Sequence, residues 1–144
     1  MRIDSIGFFD SLATEMNAHP DRYRVVGEAD MVAVIVMRRA DGDFRVRIDF
    51  EELRCSGVAA ADADELADFG IVGPLDAWQA MFDDVVANGR ATGLQTINSL
   101  VLLGDRIALA GSDPMGLDKF SRFNQTLQEF FDGAARLAPA AVAG

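Results

Sequence analysis

Residues 108–123 read "ALAGSDPMGLDKFSRF". A short alternating strand stops at Gly111, and a helix begins after it. Asp113 is placed to cap the free N–H groups of the first turn, and Pro114 suits the first helical position, where no donor is required. Just inside stand Met115, Gly116 and Leu117, then Lys119, then Phe120 and Phe123. The two phenylalanines are three residues apart and so share a helix face. None of these side chains is an obvious acid, base, nucleophile or metal ligand. The stretch either builds the fold or lines a site for something apolar.

Working outward, the helix is expected to run over residues 114–137, with Phe120, Phe123, Leu127, Phe130, Phe131 and Ala134 along its apolar face. The segment "APAAVAG", 138–144, reads as a frayed tail. Upstream, Ile107 and Leu109 alternate as a last strand, and "TINSLVLLG", 96–104, reads as a short apolar helix ending at Gly104. Trp78, Met81, Phe82, Val85 and Val86 recur at helical spacing, and Asn88-Gly89 supplies a left-handed stop. "DFGIVGP", 68–74, reads as a short strand stopped by Gly73-Pro74.

The N-terminal half has the pattern of a helix followed by a meander. Ile6, Phe9, Leu12, Ala13 and Met16 predict a helix over 4–17, capped by Asp4 or Ser5 and ended by His19-Pro20. Met31 to Met37 is an unbroken β-branched and apolar run, which implies a strand covered on both faces. Asp41-Gly42 supplies a hairpin turn. Phe44, Val46, Ile48 and Phe50 then alternate with Arg45, Arg47 and Asp49, one buried face against one wet face. Glu51-Glu52 turns the chain into a third antiparallel strand over Leu53 to Val58, and "AAADADEL", 59–66, is a loop. This order gives an α+β fold: a roughly five-stranded, mostly antiparallel sheet with helices on one face, in one domain spanning 1–137.

Composition narrows the function. The chain has 144 residues, half of them hydrophobic, and a net charge of −10. Such a balance repels phosphate backbones and anionic lipid surfaces, so neither nucleic acid nor stable membrane insertion is expected. The single cysteine, Cys55, excludes an internal disulfide and a thiolate metal cluster, and a reducing cytoplasm is the simplest location. His19, the one histidine, stands in helix-ending punctuation; Cys55 stands in a strand. No phosphate loop is present, because the glycines of "GDRIALAG" and "NGRATG" lack the Lys-Ser/Thr that must follow. Asp62, Asp64, Glu65, Asp83 and Asp84 match no calcium loop and read as solvated acids. Asp30 and Asp49, which flank apolar strand positions, are the carboxylates to watch for a raised pKa. Catalytic residues, a metal and a cofactor are therefore not expected.

The segment at 108–123 resembles the strand–glycine–helix junction of the sterol carrier protein type-two family, in which a Met-Gly-Leu helix entrance leads to a lysine and a large apolar residue. Gly111, Met115, Gly116, Leu117, Lys119 and Phe120 fit that pattern, with Ser112, Asp113 and Pro114 lengthening the approach. Ala67-Asp68 opening a strand, "DAWQAMF" as central helix, "SLVLLGDRIALAG" as apolar helix and last strand, and the meander from Met31 to Val58 extend the likeness over residues 5–132. "FDDVVANGRATG" lacks the family's glycine-lysine turn, and "AVAG" is not a peroxisomal address. The resemblance implies an apolar tunnel between sheet and helices for sterols, fatty acids, acyl-CoA or similar lipids, without catalytic residues or metal. Trp78, Met81, Phe82, Val101, Met115, Phe120 and Phe123 are the candidate lining residues, since large aromatics and adaptable methionines suit such a cavity. The alternative is an enzyme or enzyme accessory acting on a hydrophobic substrate such as a steroid intermediate. Oligomeric state is not encoded in these patterns.

Overall fold

The computed structural model describes residues 2–137; the tail expected at 138–144 lies outside them. The central run from Met31 to Met37 falls in β1 (Ala29–Arg38), which pairs antiparallel with β2 (Phe44–Glu52) so that Ile35 faces Val46 and Ala33 faces Ile48. β3 (Arg54–Ala60) completes the meander. β4 (Phe69–Pro74) pairs with β1 in parallel, and the short β5 (Ala108–Ala110) is antiparallel to β4. The order is β3-β2-β1-β4-β5. One parallel pairing has a topological consequence: β3 and β4 are separated by two strands, so residues 61–68 must cross a face of the sheet. They do so on the face carrying Arg45 and Arg47, where Glu65 pairs with Arg47 at 3.2 Å.

Helices cover the other face. They are α1 (Ile6–Ala18), α2 (Pro20–Arg24), α3 (Leu75–Asn88), α4 (Ile97–Leu103) and α5 (Pro114–Asp132). Ser5 caps α1, Thr96 caps α4 and Asp113 caps α5, each side-chain oxygen accepting a backbone N–H of the first turn. Gly89 closes α3 at φ 83°. Several sequence expectations shift. α1 ends at Ala18, before His19-Pro20 as expected, but Pro20 then opens a second short helix, α2, that the sequence did not suggest. α5 ends at Asp132 and tightens into a 3₁₀ turn, Gly133–Arg136, instead of continuing to 137. β1 is not sealed evenly on two sides. Met31, Ala33, Ile35 and Met37 are buried under helices; on the other face Val34 is buried as well, whereas Val32 and Val36 are half-buried beneath the crossing segment.

The interior is built from rings. Phe44 of β2 stacks on Phe9, which meets Phe8; Phe8 meets Phe82 at 5.0 Å, and Phe82 meets Phe131 at 5.6 Å. Phe131 contacts Phe130, and Phe130 returns to Phe50 of β2 at 5.1 Å. Edge-to-face pairs of this kind each contribute roughly 0.5–1.5 kcal/mol beyond burial, so the circuit ties α1, α3 and α5 to one strand.

The Met-Gly-Leu entrance of α5 has a steric reason. A Cβ on Gly116 would lie 2.1 Å from the backbone oxygen of Asp68. Asp68 in turn receives Val32 N–H on its carboxylate at 2.7 Å and donates its own N–H to Val32 O at 2.9 Å. Lys119, the only lysine, reaches the same carboxylate at 3.4 Å. Gly116 lets the helix backbone touch the start of β4, and Lys119 adds a partly solvated ion pair beside that contact. Gly116→Ala is expected to cost about 3 kcal/mol or more, at the top of the overpacking range, because backbone cannot move aside as a side chain can. Lys119→Met should cost less than about 1 kcal/mol, as its ion pair is partly solvated. Denaturant melts of the two variants check the order; equal costs would show that charge, not close approach, sets the junction.

Candidate ligand-binding site

The sequence-derived candidates divide by position. Trp78, Met81 and Phe82 of α3 are fully buried; the Trp78 indole N–H donates to Val36 O at 3.1 Å and its ring meets Phe131 edge-on. Phe120 is buried against Phe69 of β4 at 5.6 Å. Phe123 and Val101 pack on the edge of the core half-buried, and the Arg122 guanidinium lies 5.0 Å from the Phe123 ring centre. Met115 is 79 % exposed at the entrance of α5. Phe120 and Phe123 share a helix face, but the rings that meet Trp78 and Phe82 belong to neither: Phe131, more than two turns further along α5, makes those contacts. Helical spacing identifies a face but not which part of it meets a given neighbour.

Open space adjoins this core beneath α4. A cavity of about 180 Å³ lies between α3, α4 and the approach to β5, lined by Ala77, Leu100, Gly104, Ile107 and Gln95 among others. Ile97 is the fully buried residue of α4, and Leu100 and Val101 pack partly against the core. Leu102 and Leu103 are 68 % and 74 % exposed. At the mouth, Arg106 pairs with Asp76, and Asp105 stands beside it. A larger groove of about 350 Å³ lies on the opposite face, between the crossing segment and the sheet. Its walls carry Asp62, Glu65, Asp68 and Asp113, and it is remote in character from the apolar interior.

The segment carrying α4 is held by polar groups that read as solvent-facing in the sequence. Ile97 N–H donates to Gln128 Oε1 at 2.6 Å, Gln128 Nε2 donates to Asp132 Oδ1 at 2.8 Å, and Ala91 N–H donates to the same oxygen at 3.1 Å. Asp84 accepts Thr92 N–H at 2.6 Å and also the Thr92 hydroxyl and the Asn88 amide. Asp84 is therefore a loop anchor and not merely a solvated acid. The only sequence signal for Gln128 and Asp132 is their four-residue spacing beside Leu127, Phe130 and Phe131.

The titratable groups take their character from surroundings. Asp30 is 89 % exposed at its side chain, and Asp49 is paired by the Arg47 guanidinium at 2.8 Å, so neither is the desolvated acid the sequence suggested. That group is Asp132, whose carboxyl is pushed above the ordinary carboxylate range by burial, partly opposed by the Ala91 and Gln128 hydrogen bonds. Burial likewise pushes the Cys55 thiol up to about 11, and its Sγ donates to Gly57 O at 3.4 Å. It is a protonated core residue at neutral pH. His19 is exposed, with Nδ1 3.0 Å from Glu15 O.

For Asp132 the folded pKa exceeds the unfolded one, so the folded chain holds the proton more tightly. Its contribution to stability is greatest below the ordinary carboxylate pKa and falls as pH rises through the folded value. Asp132→Asn, which keeps the accepting oxygen without the charge, should match or exceed the parent at neutral pH and lack that loss. Asp132→Ala should lose about 1–3 kcal/mol, since it strands the Ala91 and Gln128 donors. Urea melts at mildly acidic and neutral pH test both; a less stable asparagine variant would show that the charge is needed.

No protein-family model matches the chain, and no curated protein matches it. Solved structures do. The solution structure of a conserved hypothetical protein from Thermus thermophilus, described as a candidate sterol carrier protein, superposes with a TM-score of 0.69 at 18% identity, covering 98% of this chain and 94% of that one. The crystal structure of sterol carrier protein 2 superposes with a TM-score of 0.68 at 17% identity, covering 95% of this chain and 100% of that one. The five-stranded, mostly antiparallel sheet with its one-sided helical cover is thus the sterol carrier protein 2 fold.

Proposed function

We propose that the protein binds and carries a hydrophobic small molecule, a sterol, fatty acid or related lipid, in the space between the sheet and α3, α4 and α5. The observation that carries this reading is the cavity beneath α4, which borders the apolar core through Ala77, Leu100 and Ile107. Trp78, Met81, Phe82 and Phe120, none of which lines the cavity as it stands, form the inner wall of the enlarged space in this proposal, and Val101 and Phe123 its rim. Met115, on the surface, is not among them. Sharing a fold with sterol carrier protein 2 supports the reading.

At about 180 Å³ the cavity is smaller than the roughly 300–1,000 Å³ of small-molecule sites, so it holds part of a lipid as it stands. The remaining volume comes from displacement of α4. That helix has seven residues and buries one of them fully, whereas α3 and α5 are locked by rings. No helix among the described residues is long and apolar enough to cross a membrane.

Ala77→Leu fills the cavity from the α3 side. It should weaken a neutral apolar dye such as Nile red tenfold or more while changing stability by less than about 1.5 kcal/mol. Dye titrations, with native mass spectrometry of the parent purified from cells, check this. Parent protein that takes up no apolar dye and retains no lipid mass would overturn the reading.

A further inference from the structure

We infer that the groove on the open face of the sheet docks a basic segment of a partner protein, with one apolar side chain seated over Gly70 between Val34 and Ala110. The groove lies between the crossing segment and the turn from β5 to α5 and has a volume of about 350 Å³. Its floor is apolar. Val34, Gly70 and Ala110 stand side by side across β1, β4 and β5, and Val36 stands beside Val72 on the same face. Leu66, on the crossing segment, is 86 % exposed at the groove's edge. An apolar depression rimmed by polar groups and left open to solvent marks an interaction surface. The inference does not depend on the proposed lipid site, which lies on the other side of the sheet.

Gly70 makes the depression. Its φ is not in the left-handed region, and a Cβ there would meet Val34 O at 3.6 Å and Ala110 Cβ at 3.8 Å, both ordinary contacts. The fold therefore has room for a side chain at this position, as it does not at Gly116. Glycine weakens a strand interior and marks either a bulge or a close approach by another group. β4 runs without a register shift against both β1 and β5, so no bulge accounts for it. What remains is a close approach from the open side.

The rim selects positive charge. Asp62, Glu65, Asp68 and Asp113 line the groove against one arginine, Arg45, which Asp43 already holds at 3.0 Å. Glu65 is paired with Arg47, Asp68 with Lys119, and Asp113 caps α5. Asp62 is left without an ion-pair partner among the described residues. A second copy of this chain would bring the same acids against these, at a net charge of −10 on each molecule, and is disfavoured. A neutral lipid gains nothing from the acids and would stay largely in water, whereas small-molecule sites cover most of their ligand. A segment with Lys or Arg on either side of one apolar residue satisfies both floor and rim.

Titration of the isotope-labelled full chain with the peptide acetyl-Gly-Lys-Arg-Leu-Lys-Arg-Gly-amide tests it, read by amide shifts in two-dimensional NMR. The shifts should saturate and centre on Gly70, Val72 and Ala110. Replacing the peptide's leucine by glycine, or its basic residues by glutamate, should weaken binding about tenfold or more. Gly70→Val fills the floor with a residue that suits a strand and should cause a similar loss while leaving Nile red uptake unchanged. Asp62→Asn should weaken the peptide about threefold, and Asp64→Asn, in the same acidic run but outside the groove, by less than about 1.5-fold. Equal binding of the leucine-free peptide, or shifts scattered over the acidic surface, would show diffuse charge attraction and overturn the inference. Absence of saturable shifts in the parent would overturn it as well. Concentration-dependent shifts at these amides without peptide would assign the face to a second copy, and shifts produced there by Nile red would assign it to the lipid; either result overturns the peptide reading. Failure of Nile red to bind the parent bears on the lipid site alone.

Discussion

The close approach of α5 to Asp68 is the constraint on which the rest of the arrangement depends. Asp68 stands where the crossing segment becomes β4, and it binds Val32 through both its peptide N–H and its carboxylate. Those two bonds start the parallel pairing of β4 with β1. Gly116 then sets the first turn of α5 directly on the Asp68 carbonyl. The helix axis is fixed at one end by contact with backbone, and everything along it follows: Phe120 on Phe69, Phe131 on Trp78 and Phe82, Gln128 and Asp132 under the α4 segment. The ion pair between Lys119 and Asp68 is partly solvated and is worth little by comparison. Steric permission, not charge, makes the junction.

Much of this was legible because local patterns suffice for it. The alternation of Phe44 to Phe50 gives β2, the spacing from Trp78 to Val86 gives α3, and Asp113-Pro114 marks the start of α5. What escaped depends on partners far along the chain. Parallel pairing of β1 with β4 leaves no mark in periodicity, and neither does the passage of 61–68 across the sheet. The five residues of α2 are too few for a periodic signal. Of the site, the large apolar residues of α3 and α5 stand out by size and spacing. Gln95, Gln128 and Asp132 do not, because a polar side chain on a helix or turn ordinarily faces water. Gln128 and Asp132 reach backbone groups 31 and 41 residues away, a relation that only the folded chain reveals.

The filled interior decides where a ligand could be accommodated. Separating α3 from α5 would break the contacts of Phe131 with both Trp78 and Phe82 and expose those three fully buried rings. At roughly 1.5–3 kcal/mol for each fully buried large side chain, that opening is costly. Moving α4 exposes far less. A helix of two turns has little stability of its own in water and depends on what it packs against. Its outer surface already carries Leu102 and Leu103 in solvent.

The anchors determine how α4 would open under the proposed function. Its first residue is tied to α5 through Ile97 and Gln128, and Thr96 caps its first turn. Its last residue runs into Gly104, whose N–H bonds back to Leu100 O at 3.2 Å and whose Cα leaves no room for a side chain beside that carbonyl. The C-terminal end therefore turns within its own helix, and among the described residues the next polar tie to α3 is the solvent-exposed Arg106–Asp76 pair beyond it. Opening is then a swing of the Leu100–Leu103 end about Ile97, which uncovers Ala77 and Ile107 while the turn bearing Gln95 stays fixed between Thr92 and Ile97.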